Sequence, residues 1–322
     1  MKAIICPKYG SPDVLELKEI NTPESKSNEV RIKLRAAVVG PADCAFRRGD
    51  PFVVRLIYGL KRPRNPMLGV EFSGVVDAVG KEVTGFKTGD PVIGLSANKM
   101  GAHAEYLCLP EHSPLIVKSS RLTFEEAAAV CDGAPTALIF LRDKAKIQSG
   151  QRVLINGASG AVGLYAVQLA KALGAEVTGV CSGSNLERVS LAGADFVIDY
   201  TKEDFTASGK RYDVIFDAVG KRSFSECKGA LTEAGVYLST VPGLSILFHM
   251  LRTAVFGGQK AVFVTAGLMQ SKNNLTYLQQ LAEAGKLKAM IDRRYPLEQM
   301  AEAHRYVDTE RKRGNVIITY EP

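Results

Sequence analysis

A glycine-rich loop between an apolar strand and a helix is the feature that most constrains the fold of this chain. In VLINGASGAVGLYAVQLAKALGAEVTGVC, the strand runs into Gly157, Gly160 and Gly163, and an amphipathic helix follows. The first two glycines allow a tight turn and close approach to a pyrophosphate at the helix N-terminus, and the third allows the helix to pack on the strand. Ala158 makes this the A-x-G-x-x-G variant of the usual motif. The expected cofactor contacts in this loop are Gly157, Ala158, Ser159, Gly160, Ala161 and Val162.

The order of strands and helices predicts two kinds of domain. From residue 151 to about 256, apolar strands alternate with helices, which is typical of a parallel sheet covered on both faces. From residue 2 to about 120, short strands separated by turns predict an all-β, barrel-like domain. A capping box of Thr123 and Glu126 opens the intervening helix, which we expect to break before Pro135. The sequence therefore predicts an α/β protein with a β-barrel domain over 1–125, a doubly wound Rossmann cofactor-binding domain over 126–257 and a mixed segment over 258–322.

The residues after the second strand of the Rossmann domain indicate which dinucleotide is bound. NAD sites place an acidic residue there to bind the ribose 2′-hydroxyl, whereas this chain has VCSGSNLER. Ser182, Ser184 and Asn185 can donate hydrogen bonds to a 2′-phosphate, Arg188 can add positive charge, and no carboxylate precedes Glu187. We therefore expect NADPH. The alternative is that these are ordinary turn and N-cap residues, since serine is also a good helix cap.

The composition is that of a globular enzyme with no targeting or membrane segment. The 322 residues are 46% hydrophobic and 23% charged, and no uninterrupted apolar run is long enough to span a bilayer. The N-terminus lacks the features of a signal peptide, so we expect a cytoplasmic protein. The six cysteines form no C-x-x-C pair, and we expect buried, unreactive thiols rather than a zinc site or disulfides.

The net charge of +7 is concentrated in FRRGDPFVVRLIYGLKRPR and TERKRGN. Such clusters can attract nucleic acid or an anionic membrane. They lack the repeated aromatic residues of a platform for single-stranded nucleic acid, so we interpret them as solvated basic faces and expect no specific nucleic-acid partner.

Several motifs, in this order and spacing, resemble the medium-chain dehydrogenase/reductase superfamily over the whole chain. They are GVEFSGVVDAVG…GFKTGDPVIG, GAHAEYLCLPE, NGASGAVGLYAVQLAK, GADFVIDYTKEDF, FDAVG and GNVIITY. The resemblance implies a GroES-like barrel as the N-terminal catalytic domain, to which the C-terminal segment returns. It also implies a small-molecule substrate and a homodimer, and KAVFVTAG reads as an edge strand that could pair with a second copy.

The positions of the zinc ligands are changed in this chain. Zinc-dependent members carry a histidine where this chain has Val70 and a cysteine where it has Gly40, and the lobe for a structural zinc is absent between Gly94 and Glu105. Glu71, which lies behind the metal in zinc relatives, is then expected to be structural, bonded to backbone or to a basic side chain. The chain resembles the zinc-free quinone oxidoreductases, whose branch includes NADPH-dependent alkenal and enone reductases.

The resemblance also implies positions along the cofactor. It places Thr136 near the nicotinamide, Tyr200 near the 2′-phosphate, Val219 and Thr240 along the cofactor, and Asn315 closing over it. Many quinone oxidoreductases have asparagine at the position of Gly40 and lysine at that of Asn185, so substrate bonding and cofactor preference can differ here. For the proton donor we consider Tyr58 and Asp43, each of which can instead be structural; water is a further candidate, and Cys44 is expected to be inert.

Three functions are compatible with these features. The first is reduction of quinones or α,β-unsaturated carbonyls, electrophiles that accept hydride without a Lewis acid because the resulting charge is delocalised. The second is an enoyl-thioester reductase that uses part of the basic surface to bind the phosphates of its substrate. The third is a non-catalytic NADPH-binding sensor or nucleic-acid binder. A zinc alcohol dehydrogenase is disfavoured by the missing ligands.

Overall fold

The computed structural model describes residues 1–320, in which the chain divides into two compact units. The first unit comprises Met1–Asp132 and the residues from Gln270 onward, and the second comprises Gly133–Met269. The unit limits therefore fall at 132/133 and 269/270, whereas the sequence patterns suggested 125/126 and 257/258. The shift at the first limit has a packing cause, because Ala128 and Ala129 of the intervening helix are buried against strands of the first unit.

The N-terminal part of the first unit consists mainly of short strands. Its elements are β1 (Lys2–Ile5), β2 (Glu16–Glu19), β3 (Glu29–Val38), α1 (Pro41–Arg48), α2 (Val53–Tyr58), β4 (Glu71–Val79), β5 (Pro91–Leu95), β6 (Tyr106–Pro110), β7 (Leu115–Val117) and α3 (Phe124–Cys131). The alternating burial of β3 places its valine, isoleucine and leucine side chains in the core. The capping box of Thr123 and Glu126 is present, and the helix it opens ends before Pro135, as expected.

The second unit alternates strands and helices. Its elements are α4 (Ala134–Leu138), β8 (Arg152–Asn156), α5 (Ala161–Ala172), β9 (Glu176–Cys181), α6 (Leu186–Leu191), β10 (Phe196–Asp199), β11 (Tyr212–Asp217), α7 (Phe224–Cys227), β12 (Leu231–Ser239), α8 (Leu244–Phe256) and β13 (Lys260–Phe263). Its strands pair in parallel in the order β10-β9-β8-β11-β12-β13. The order reverses direction between β8 and β11, and ligands of open α/β sheets bind beside the carboxyl ends of the strands at such a point.

The C-terminal segment completes the sheet of the first unit. Its elements are α9 (Lys272–Glu283), β14 (Ile291–Pro296), α10 (Met300–Asp308) and β15 (Asn315–Thr319). Strand β15 pairs antiparallel with β3, and the sheet runs β14-β15-β3-β4-β5-β7, with β6 also on β3. The α/β class, with a GroES-like domain and a parallel-sheet Rossmann domain, is therefore confirmed.

The cysteines agree with the sequence interpretation. All six are buried and free. Burial raises the pKa of the Cys6 and Cys181 thiols to about 11 and that of Cys227 to about 12, so these thiols stay protonated at neutral pH. Within residues 1–320, no helix combines the length and apolarity needed to cross a membrane.

Candidate active site

The glycine loop of the second unit has the shape of a pyrophosphate cradle. Gly157 adopts a φ of +77°, which L side chains rarely adopt, and a Cβ there would lie 2.5 Å from the Val219 side chain. The N–H groups of Gly157 and Ala158 donate to the Val180 carbonyl at 3.0 and 2.9 Å. The turn is thereby fixed to the neighbouring strand β9 before the helix begins.

Helix α5 starts directly over this turn. Its N-cap is Gly160, and a Cβ at Gly163 would lie 2.1 Å from the Gly157 carbonyl oxygen, so the helix approaches as closely as it does only because position 163 has no side chain. The first N–H groups of a helix have no intrahelical acceptor and form a site for anions. The loop therefore fits a dinucleotide pyrophosphate, as its sequence predicts.

A buried aspartate holds the adjoining loop after β11. Asp217 has no solvent exposure, and its Oδ1 accepts hydrogen bonds from Val219 N, Gly220 N and Asn156 Nδ2 at 3.2, 3.0 and 3.0 Å. Its Oδ2 accepts from Arg222 N at 2.8 Å and from the Tyr237 hydroxyl at 3.3 Å. We call this arrangement the Asp217 latch. It fixes the loop that carries Val219, whose side chain borders the glycine turn.

The residue after strand β12 is also bonded to Asp217, through the backbone. The N–H of Thr240 donates to the Asp217 carbonyl at 3.3 Å, and Thr240 is partly exposed. Val219 is 41% exposed at the same edge of the sheet. Val219 and Thr240, which are both expected along the cofactor, thus follow the carboxyl ends of β11 and β12. Strand β11 is one of the two strands between which the sheet order reverses.

The turn after β9 contains the polar residues expected near the ribose. Asn185 Nδ2 donates to Ser182 Oγ at 2.9 Å, and the hydroxyls of Ser182 and Ser184 lie 3.3 Å apart. Tyr200 follows the neighbouring strand β10, is 59% exposed and donates its N–H to the Cys181 carbonyl at 3.1 Å. The serine turn and Tyr200 therefore meet at one end of the sheet.

A carboxylate that the sequence reasoning missed lies beside this turn. A Cβ at Gly183 would be 2.6 Å from Asp199 Oδ2. Asp199 Oδ1 accepts from Thr201 Oγ1 at 2.7 Å and Thr201 N at 3.0 Å, and these bonds lower the pKa of the carboxyl. A negative charge is thus held near the expected 2′-phosphate position. The sequence indicated this carboxylate only as the aspartate that ends β10, the strand that pairs with β9.

Thr136 lies on the short helix α4, close to the start of α5. A Cβ at Gly133, the N-cap of α4, would lie 3.0 Å from Val162 N. Thr136 is partly exposed, whereas the other residues of α4 are buried. The structure therefore presents its hydroxyl from a helix that borders the cradle.

Three carboxylates converge within the first unit. Asp43, in the first turn of α1, is buried and accepts the N–H groups of Gly40 and Gly69 at 2.9 and 3.1 Å. A Cβ at Gly40 would lie 3.7 Å from both Asp43 Oδ2 and Asp132 Oδ1. Asp43 thus ties the start of α1 to the segment that leads into β4, and its role as a proton donor stays a prediction.

Asn315 orients the second of these carboxylates. It is fully buried, and its Nδ2 donates to Asp132 Oδ2 at 2.8 Å and to the Asp132 carbonyl at 3.3 Å. Lys312 Nζ lies 3.9 Å from the same Oδ2. The structure places Asn315 in the first unit with Asp43, while the glycine cradle belongs to the second.

Glu71 is the third carboxylate. Burial raises its pKa well above the ordinary value, and the negative charges of Asp132 and Asp43 raise it further. The positive charge of Lys312 acts in the opposite direction. Lys312, which lies 3.9 Å from Asp132, is thus a positive charge that favours the ionised form of Glu71, and its position could not be read from the sequence.

The positions that hold zinc ligands in relatives do not fit a metal here. Val70 packs in an apolar cluster with Cys6, Leu68 and Ile93, and Gly40 has no side chain. Among residues 1–320, no group of three or more histidine, cysteine, aspartate or glutamate side chains is arranged to hold a metal ion.

Two buried histidines lie behind the carboxylates. His103 Nε2 is 2.9 Å from the Val38 carbonyl oxygen, His304 Nδ1 is 3.3 Å from Cys44 Sγ, and the two rings meet edge to face. Burial lowers the pKa of His304 well below its ordinary value. Burial raises the pKa of the Cys44 thiol, which agrees with the expectation that it is inert.

Tyr58 ends helix α2 rather than lying in a loop. Its ring packs on Phe46 with centroids 4.4 Å apart, and burial raises the pKa of its hydroxyl. Tyr58 is partly exposed. Its role as a proton donor stays a prediction.

The predicted residues thus fall into two groups. The second unit brings together, along the carboxyl edge of its sheet, Thr136, Gly157, Ala158, Ser159, Gly160, Ala161, Val162, Ser182, Ser184, Asn185, Tyr200, Val219 and Thr240. The first unit contains Tyr58, Asp43 and Asn315. Sequence reasoning missed Asp199, Asp217, Asp132 and Lys312. Asp199 was signalled as the aspartate that ends β10, and Asp217 as the acid in the quoted FDAVG motif.

Comparison with known proteins identifies the family. The family "Alcohol dehydrogenase GroES-like domain" matches residues 26–120, and "Zinc-binding dehydrogenase" matches residues 192–318. A chloroplastic quinone-oxidoreductase homolog of Spinacia oleracea is 33% identical over 319 residues, covering 96% of this chain and 95% of the relative. A chloroplastic NADPH-dependent alkenal/one oxidoreductase of Arabidopsis thaliana is 29% identical over 333 residues, covering 99% and 79%.

A solved structure agrees with these relatives. The quinone oxidoreductase from Coxiella burnetii superposes with a TM-score of 0.89 at 30% identity, covering 100% of this chain and 99% of the other. The resemblance drawn from the motifs is thereby confirmed. The chain belongs to the quinone oxidoreductases of the medium-chain dehydrogenase/reductase superfamily.

Proposed function

We propose that this protein is an NADPH-dependent reductase that delivers hydride to quinones or α,β-unsaturated carbonyl compounds without zinc. The observation that carries the proposal is the glycine cradle at the sheet reversal, in a chain that matches a quinone-oxidoreductase homolog over 96% of its length. The relative named as an NADPH-dependent alkenal/one oxidoreductase supports the choice of cofactor and the second substrate class.

The residues that would hold the cofactor follow from the geometry of the second unit. The N-terminus of α5 and the turn at Gly157 would bind the pyrophosphate, and the latched loop at Val219 would border it. Ser182, Asn185 and Tyr200 supply hydrogen-bond donors for a 2′-phosphate. Asp199 is an acidic group beside this turn that opposes this preference, and its bonds to Thr201 restrain its orientation.

The substrate class follows from the residues at the former metal positions. NADPH, when bound, supplies the hydride. Val70 and Gly40 provide no ligand for a Lewis acid, so a saturated ketone would lack stabilisation of its developing alkoxide. A conjugated acceptor spreads this charge over several atoms, and one proton from water or from Tyr58 completes the reduction. The chain's residues then chiefly bind and orient the reactants.

The first test compares acceptors that differ only in conjugation. NADPH oxidation is followed by absorbance with a quinone, a conjugated enone and the matching saturated ketone, before and after treatment with a chelator. We expect turnover with the quinone and the enone alone, unchanged by the chelator. Equal reduction of the saturated ketone, or loss of activity on chelation, would refute the proposal. NADPH binding without turnover on any acceptor would instead favour a sensor.

We further propose that the protein forms a homodimer through β13. This strand ends the described sheet order, and the neighbouring helix α8 exposes Leu244, Leu251 and Phe256 by 88, 72 and 82%. An edge strand beside an apolar surface favours pairing with a second copy. Light scattering should give twice the chain mass of 34.8 kDa, and Val262→Pro should yield the monomer. A monomeric wild-type protein would refute this proposal.

A further inference from the structure

A second exposed apolar surface lies around helix α2 of the first unit. Five large apolar side chains are between 49 and 63% exposed, and we call them the α2 patch: Phe52, Val53, Leu56, Ile57 and Leu60. Contiguous apolar surfaces of this kind on soluble proteins commonly mark sites of interaction. Neither the cofactor site nor the carboxylate cluster uses these residues.

The α2 patch is one face of a helix and its flanking turn. Val53, Leu56 and Ile57 follow the spacing i, i+3 and i+4, which places their side chains on one side of α2, and Leu60 lies in the turn after Gly59. Val54, on the other side, is 8% exposed. The inner face of α2 is therefore already buried, and the side chains of the α2 patch are not needed for packing within the chain.

The segment is held firmly in this orientation. The Tyr9 hydroxyl donates to the Gly59 carbonyl at 2.6 Å, and Arg64 N donates to the Tyr58 carbonyl at 2.7 Å. Arg55 Nε donates to the Gly49 carbonyl at 3.0 Å, and its guanidinium lies over the Tyr9 ring. Hydrogen bonds to Gly49, Tyr58 and Gly59 thus hold the segment that carries the α2 patch in place.

Exposed cations flank the patch along the chain. Lys61, Arg62 and Arg64 follow it directly in the turn after Gly59, and Arg48 lies just before it in the chain. Arg48 is paired with Asp308, whereas Lys61, Arg62 and Arg64 form no ion pair with any residue that the structure describes. The sequence alone favoured a solvated basic face. The structure adds that large apolar side chains are exposed in the same segment of the chain as these charges.

We propose that the α2 patch docks on the surface of an anionic lipid bilayer, with its apolar side chains in the headgroup boundary and its cations on the lipid phosphates. Apolar side chains ringed by lysine and arginine are the combination that such surfaces bind. A second copy of the patch is disfavoured as the occupant, because a two-fold contact would bring like charges together. The proposal does not rest on the proposed function.

The test measures binding of the full-length protein to vesicles by co-sedimentation. One set is phosphatidylcholine alone, and the other contains about a quarter phosphatidylglycerol. We expect binding to the anionic set only. Raising the salt from about 0.1 to about 1 M shortens the screening length from about 10 to about 3 Å and should release most of the protein.

Two variants separate the apolar and charged contributions. Leu56→Ser/Ile57→Ser should lower the partition coefficient at least about tenfold. Lys61→Gln/Arg62→Gln should lower it about thirtyfold, since each cation near an anionic surface contributes about fivefold. Leu17→Ser/Leu191→Ser is the matched apolar control, because both leucines are exposed elsewhere. Lys81→Gln/Lys87→Gln is the matched charge control.

Both controls should bind as the wild type does, and circular dichroism checks that every variant is folded. The proposal is overturned if the wild-type protein ignores anionic vesicles or if the patch variants bind as well as their controls. It is also overturned if the patch variants change the mass measured by light scattering instead of vesicle binding, since the patch would then be a protein contact.

Discussion

Replacing Asp217 with asparagine tests whether the latch after β11 supports cofactor binding. The carboxylate serves five donors with two oxygens. In Asp217→Asn, one oxygen can still accept from Val219 N, Gly220 N and Asn156 Nδ2. The new NH₂ group would face the N–H of Arg222, which in the native protein donates to Asp217 Oδ2 at 2.8 Å. A buried charge-assisted hydrogen bond is therefore replaced by two opposed donors.

The size of the expected effect of Asp217→Asn follows from the hydrogen bond that is lost. A hydrogen bond to a charged group contributes about 1.5–3 kcal/mol to stability. If the Val219 loop must be latched to bind the dinucleotide, weakening the latch by this amount lowers the binding-competent fraction by up to about 10–100-fold, and Kd rises by the same factor. The melting temperature should fall as well, because Asp217 is fully buried.

A matched control lies on the same strand. Asp213, near the start of β11, accepts Arg152 N at 2.8 Å and Thr232 Oγ1 at 3.2 Å, at the edge of the sheet opposite the cradle. Asp213→Asn should lower the melting temperature with little change in the Kd for NADPH, measured by fluorescence titration. Equal changes in Kd for the two variants, or an unchanged Kd in Asp217→Asn, would refute the role of the latch.

Three further predictions concern the cradle, the cofactor preference and the buried carboxylates. Gly163→Ala forces a Cβ to within 2.1 Å of a backbone oxygen and should cost about 1–3 kcal/mol in chemical denaturation, whereas Gly229→Ala, with open space around it, should not. Asp199→Asn removes a negative charge beside the serine turn, so titrations should show about twofold to fivefold tighter NADPH binding and unchanged NADH binding. The pKa of Glu71 is raised in the folded state, so the folded protein binds more protons than the unfolded chain above the ordinary pKa of a glutamate carboxyl. As the pH rises above that pKa, the free energy of unfolding of the native protein should fall relative to that of Glu71→Gln, by up to about 1.4 kcal/mol per pH unit. Thermal melts from acid to neutral pH that ran parallel for the two proteins would contradict this.

The features that could be predicted from the sequence are local in the chain. The turn at Gly157, the start of α5 and the capping box of Thr123 all lie within a few residues, so their patterns specify them directly. The parallel sheet was also predictable, because apolar strands separated by helices have few other arrangements. The residues expected at the ends of its strands therefore lie at one edge.

The remaining features depend on contacts between distant residues. Asp217 bonds to Asn156 across 61 positions, and Asp132 bonds to Asn315 across 183. Periodicity carries no information about such pairs, which exist only after strands pair and β15 returns to β3. The same reason explains Asp199, whose proximity to Gly183 follows from the pairing of β9 with β10.

The carboxylate cluster of Asp43, Asp132 and Glu71 shows how the first unit holds three acidic groups close together. Three acidic groups in a buried site repel one another and cannot all ionise freely. In the structure, backbone N–H groups bind Asp43, Asn315 and Lys312 flank Asp132, and the raised pKa of Glu71 favours its neutral form. Hydrogen bonds, the positive charge of Lys312 and the raised pKa of Glu71 thus each reduce the repulsion among the three acidic groups.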